Sequence, residues 1–241
     1  MHLVDRPSPN HDARPDGQPV DILLLHYTDM ASAEAALARM TDPASRVSAH
    51  YCIDEDGTVY RLVPEERRAW HAGVSFWAGA RDINARSIGI ELANPGHTCG
   101  YRPFPEAQMQ ALEDLAHGIL ARHPIPAHRV LGHSDVAPAR KIDPGELFDW
   151  RRLARAGIGV WPESMSLPDP GPADPPLAVA DLQSKLGRFG YDVAATGVLD
   201  QATRQALSAF QRHFRPAAFD GAPDGETRRL LAAVVAGVTQ V

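Results

Sequence analysis

The chain has 241 residues, a formal net charge of −6, 44% hydrophobic and 22% charged residues, which are globular proportions and exclude wholesale disorder. It carries no block of Lys or Arg to track a phosphate backbone, so nucleic acid is not an expected partner, and no run approaches the ~18 apolar residues that a bilayer span requires. The length accommodates one large domain or two.

The opening residues Met1 to Pro7 lack the basic and apolar regions of a leader, so the expectation is either a cytosolic protein or one whose leader has been trimmed. From Asp21 to Thr28 an apolar run reads as a strand buried on both faces, with His26 near its end. Ala31 to Met40 reads as a helix rich in Ala and Leu. His50 to Ile53 and Thr58 to Val63 flank Asp54-Glu55-Asp56-Gly57, a turn that suits positive φ, and so form a hairpin. Cys52 falls in its first strand; it and Cys99 are expected to be free thiols. Ile88 to Leu92 is a second buried strand, and Glu91 interrupts its apolar run. Pro105 to Arg122 is a helix with Pro105 in its first turn. Arg129 to His133 is a further strand ending in histidine, and the loop after it brings back a carboxylate, Asp143. Strands alternating with helices, plus one hairpin, predict an α/β fold: a mixed central sheet flanked by helices.

Of 11 histidines, His26 and His133 stand out because both end apolar strands. Such strand ends converge at one edge of a sheet, where ligand sites of these folds lie. Two imidazoles with one carboxylate and an open fourth position form the donor set of a catalytic zinc.

Six of the 21 prolines fall within residues 162–176 and mark a semi-rigid linker. The chain is therefore expected to divide into a domain at 1–160, a linker at 161–176 and a module at 177–241. The module carries seven basic and six acidic residues, leaving −7 upstream. Within it, Gly197 to Arg204 aligns with Gly221 to Arg228, with Asp200 and Asp224 placed as N-caps. Apolar spacing at Leu182, Leu186, Phe189 and at Leu207, Phe210, Phe214 completes an all-α module of three short helices. Read from its residues alone, it is either a packing unit or a binding unit.

Leu182-Gln183, Gly190-Tyr191, the repeated Gly-x-x-Asp-x-x-Thr and Phe210-Gln211 resemble the peptidoglycan-binding module found beside many cell-wall hydrolases. His26-Tyr27-Thr28, Ser48-Ala49-His50-Tyr51, Trp70-His71-Ala72-Gly73, Ser87 to Glu91 and His133 through Arg140-Lys141-x-Asp143-Pro144-Gly145 together resemble the zinc-dependent N-acetylmuramoyl-L-alanine amidases, over residues 20–155. That resemblance implies one Zn²⁺ per chain on His26, His133 and Asp143, catalytic roles for Glu91 and Lys141, and substrate contacts from His71 and His50. Asn94, on the loop after Glu91, is a candidate for hydrogen-bonding the stem peptide. The implied reaction is hydrolysis of the amide between N-acetylmuramic acid and L-alanine in peptidoglycan or muropeptides. The rivals are a non-catalytic muropeptide receptor, which the complete donor set argues against, and a cytosolic recycling enzyme specific for anhydro-muropeptides. The module points to the cell envelope, the missing leader to the cytoplasm. Oligomeric state is left open.

Overall fold

The computed structural model describes residues 2–162 and 175–238. In chain order these form strands β1 (His2–Asp5), β2 (His11–Ala13) and β3 (Ile22–Tyr27), helix α1 (Ala33–Thr41), then β4 (Tyr51–Ile53), β5 (Thr58–Arg61) and β6 (Arg67–Ala69). Helix α2 (Ile83–Arg86), β7 (Ser87–Leu92), α3 (Gly96–Cys99), α4 (Glu106–Arg122), β8 (Val130–Gly132), α5 (His133–Val136) and α6 (Trp150–Arg155) follow. The tail supplies α7 (Pro175–Phe189), α8 (Gln201–Phe214) and α9 (Gly225–Val238).

The sheet runs β1-β5-β4-β7-β3-β8, with β2 and β6 forming a separate antiparallel ribbon. Pairing is parallel except between β4 and β5, the expected hairpin. Every residue of β3 is buried, because both faces of the sheet are covered, and that is why its sequence is continuously apolar rather than alternating. On one face, α4 lays down Met109, Leu112, Leu115, Ala116 and Ile119, spaced three and four apart, against Leu23, Leu25, Ile88 and Ile90. Smaller α1 seals the far end with Leu37 and Met40 on Cys52, Leu62 and Val63. Cys52 is buried and Cys99 exposed, and both are free.

The other face holds a finding that the sequence reading did not contain. One buried cluster runs from Ile22, Leu24 and Leu131 on the sheet through Trp77 and Val136 to Phe189, Phe210 and Phe214 of the tail helices. Trp77 meets Phe189 and Tyr191 edge-on, at ring separations of 5.2 and 5.0 Å. Gly190 permits this approach: a Cβ there would stand 2.3 Å from the Trp77 ring, and its φ of +148° suits glycine. The reading of a separate, tethered unit accounts for the tail's helices but not for this contact. Most of the expected linker, residues 163–174, lies outside the described residues, and α7 begins at Pro175, within the range expected for the linker.

Inside the tail the internal repeat has a physical basis. Gln183 accepts from the Gly197 N–H and donates to Thr203, whose backbone is capped by Asp200; Gln211 does the same with Gly221, Thr227 and Asp224. Two buried glutamines thus satisfy two equivalent turns.

Candidate active site

Three adjacent parallel strands deliver the site. In register, His26 of β3 lies opposite Glu91 of β7, and Leu25 lies opposite Gly132, so His133 emerges beside His26. Gly132 lets the loop close over it, since a Cβ there would come within 2.8 Å of Pro144 Cδ. Ser134 N–H donates to the Asp143 carbonyl at 2.9 Å, which holds that loop against α5. The result is a triangle: His26 Nδ1 to His133 Nδ1 is 2.9 Å, His26 Nδ1 to Asp143 Oδ2 is 3.1 Å, and His133 Nδ1 to Asp143 Oδ2 is 3.0 Å. All three side chains are buried.

The hydrogen-bond network assigns the protons around this triangle. His133 Nε2 faces the Ala72 carbonyl at 3.0 Å and must carry hydrogen, which leaves Nδ1 bare. Ser87 Oγ donates to the Ile83 carbonyl, so it accepts from His71 Nε2 at 3.3 Å; His71 Nδ1 then accepts from His26 Nε2 at 3.0 Å. His26 Nδ1 is therefore bare as well. Burial, then proximity to His133, lowers the His26 pKa to about 4. Two lone pairs and an anionic oxygen converge with no proton among them, an arrangement that calls for a cation. A tetrahedral ion with bonds of ~2.0–2.1 Å sets its donors ~3.3–3.4 Å apart, close to the observed spacing. The donors fit a metal.

A cleft of ≈ 640 Å³ opens over this triangle, with His71, Glu91, Lys141, Arg140 and Trp70 among its lining residues. Glu91 Oε2 is buried without a hydrogen-bond partner. Burial, then the Asp143 charge, pushes the Glu91 carboxyl well above its usual range, with Lys141 opposing. The structure thus brings together His26, His133, Asp143, Glu91 and Lys141.

The three expected substrate contacts fare differently. His71 reaches the cleft, but His26 and Ser87 occupy its two ring nitrogens, so it positions a donor rather than offering a free one. It fits only because Gly89 lacks a side chain: a Cβ there would stand 2.5 Å from the ring. His50 is corrected outright. It is fully buried, accepts from the Gly89 N–H at 2.9 Å and donates to the Arg67 carbonyl at 3.0 Å; burial, then Arg14, lowers its pKa to about 3. Asn94 is absent from the cleft lining; its amide donates to the Arg102 carbonyl and accepts from the Gly96 N–H. Sequence reasoning missed Arg14, which donates to the carbonyls of Glu65, Ala85 and Ser87 at 2.8–2.9 Å and fastens the start of β7. Its position before the first predicted strand left no pattern to find it by. Arg140, part of the quoted motif but given no role, spans the Val74 and Ala72 carbonyls beside His133.

The sequence model described as N-acetylmuramoyl-L-alanine amidase matches residues 16–146, and the one described as "Putative peptidoglycan binding domain" matches 176–231. N-acetylmuramoyl-L-alanine amidase AmiD of Escherichia coli is 40% identical over 232 residues, covering 90% of this chain and 82% of its own. The structure of that enzyme with the substrate anhydro-N-acetylmuramic acid-L-Ala-D-gamma-Glu-L-Lys aligns with a TM-score of 0.81 at 37% identity, covering 94% of this chain and 93% of its own. AMPDH3 from Pseudomonas aeruginosa, in complex with anhydromuramic pentapeptide, aligns with a TM-score of 0.81 at 36% identity, covering 93% and 94%. The chain belongs to the N-acetylmuramoyl-L-alanine amidase family, hydrolases of the amide between N-acetylmuramic acid and L-alanine.

Proposed function

We propose that this amidase is zinc-dependent, with His26, His133 and Asp143 as the three protein ligands of one Zn²⁺. The observation that carries the reading is the proton-free triangle of donors at 2.9–3.1 Å beneath the cleft. When bound there, zinc would supply Lewis acidity, polarising the scissile carbonyl and acidifying water.

The chain's own residues answer the remaining difficulty, an amine that leaves poorly. Glu91, buried and unpartnered at Oε2, takes the proton of the attacking water and passes it to the departing nitrogen. Lys141, whose charge is felt at both Glu91 and His26, stabilises the negative charge growing on the carbonyl oxygen. His71 holds His26 in its tautomer. The proposed substrates are muropeptides, the anhydro forms bound by the two relatives included, and peptidoglycan itself. Residues 1–160 serve as the catalytic domain and the helices that begin at Pro175 as the peptidoglycan-binding module, with the expected linker shortened at its end by α7. That module supports action in the cell envelope; no helix among the described residues is long and apolar enough to cross a membrane.

Mass spectrometry of digested sacculi tests the reading. Free stem peptides beginning with L-alanine are expected; shortened peptides still attached to sugar would overturn it. Glu91→Gln is expected to keep zinc and lose ~10²–10⁴-fold in kcat, whereas Asp143→Ala loses zinc and activity together.

A further inference from the structure

The tail helices touch the polypeptide that presents the metal donors. Asp135 of α5 is almost fully buried. Its Oδ2 accepts the N–H of Gly132, the residue immediately before His133, at 2.8 Å. Its remaining hydrogen bonds come from the tail: Tyr191 Oη–H to Oδ1 at 2.6 Å and His213 Nδ1 to Oδ2 at 2.8 Å. Burial, then the Asp135 charge, pushes the Tyr191 hydroxyl well above its usual range, so it stays a donor. The His213 ring is clamped between Trp150 and Phe214, at centroid distances of 3.7 and 4.0 Å. A second contact reaches the loop that carries Asp143: Arg212 Nε lies 3.9 Å from Glu146, which also bonds His97 at the cleft rim.

A buried carboxylate is costly unless its lone pairs are satisfied. Stripped of Tyr191 and His213, Asp135 would keep one backbone N–H and be drawn toward water, releasing the Gly132–His133 peptide. We propose that the C-terminal helical unit is a positioning element of the metal centre: Tyr191 and His213 fix Asp135, and Asp135 fixes the backbone that aims His133. This rests on the reading of His26, His133 and Asp143 as metal donors.

The test uses the full-length chain with Co²⁺ as the probe, its affinity measured by competition with a chelating dye and its geometry by visible absorption. Tyr191→Phe and His213→Leu are each expected to weaken Co²⁺ binding ~10-fold and alter the spectrum. His213→Asn, which keeps a donor near the place of Nδ1, restores both. Phe189→Leu, in the same interface but with no polar atom to bond Asp135, lowers Tm and leaves Co²⁺ affinity unchanged. Wild-type affinity and spectrum in both Tyr191→Phe and His213→Leu would overturn the proposal, as would equal weakening by Phe189→Leu, which would reduce the interface to general packing. Failure of the wild-type chain to take up Co²⁺ would instead remove the metal-centre reading beneath it, before any variant is compared.

Discussion

Glu65 and His50 set how this protein meets acid. The Glu65 carboxylate takes hydrogen bonds from Tyr51, Arg122 and His123, each at 2.7 Å. Burial works to raise its pKa, yet these partners prevail and lower it to about 2. A depressed carboxylate contributes stability that is fully present above the unfolded pKa, ~4.3, and that is lost as pH falls toward 2. His50 is buried neutral with its pKa lowered to about 3, so it too favours folding at high pH and surrenders that contribution between ~6.5 and 3. Stability should therefore fall in two overlapping stages on acidification. Glu65→Gln is expected to cost ~3 kcal/mol at pH 7 and to flatten the lower stage while leaving the upper one. Urea unfolding at a series of pH values measures this; an unchanged slope between pH 5 and 2 would count against the ion cluster.

Strands β3, β7 and β8 matter together because their register converts three distant positions into one site. The fit between β7 and the His71 ring is close, as the missing side chain at Gly89 shows. Gly89→Ala should push His71 off His26 and weaken metal binding ~10-fold, at a stability cost of ~1–3 kcal/mol; chelator competition and thermal melts separate the two effects. These strands were legible in the sequence because both their faces are buried, which leaves largely apolar runs that carry His26, Glu91 and His133 at or near their ends. Helix α4 was legible for its three-and-four spacing, and Asp143 for its place in a motif. Strands β1, β2 and β6 were not, being three or four residues long, with β1 and β2 lacking any buried residue and β6 burying Ala69 alone. His50 was expected at the substrate from the resemblance and Asn94 from its loop, and neither signal can show a side chain turned inward to a backbone N–H or carbonyl. The bond from Tyr191 to Asp135 spans 56 positions and that from His213 spans 78, and neither belongs to any local pattern.

At the scale of the molecule, the tail completes the second face of the catalytic sheet. A large apolar side chain is worth ~1.5–3 kcal/mol when buried, and Trp77, Val136 and Phe189 are among those that share this cluster. Against a total stability of ~5–15 kcal/mol, their loss is severe. A chain ended at residue 160 is therefore expected to melt well below the full protein and to bind a hydrophobic dye, whereas a merely tethered tail would leave both readings unchanged. Gly190 carries a further implication. The notch it leaves for the Trp77 ring, only 2.3 Å from where a Cβ would stand, makes the tail poorly interchangeable. A wall-binding unit grafted from another enzyme would have to arrive with a glycine there, a hydroxyl in place of Tyr191 and an imidazole in place of His213. Shuffling or engineering would have to move the two halves as a matched pair rather than as cassettes.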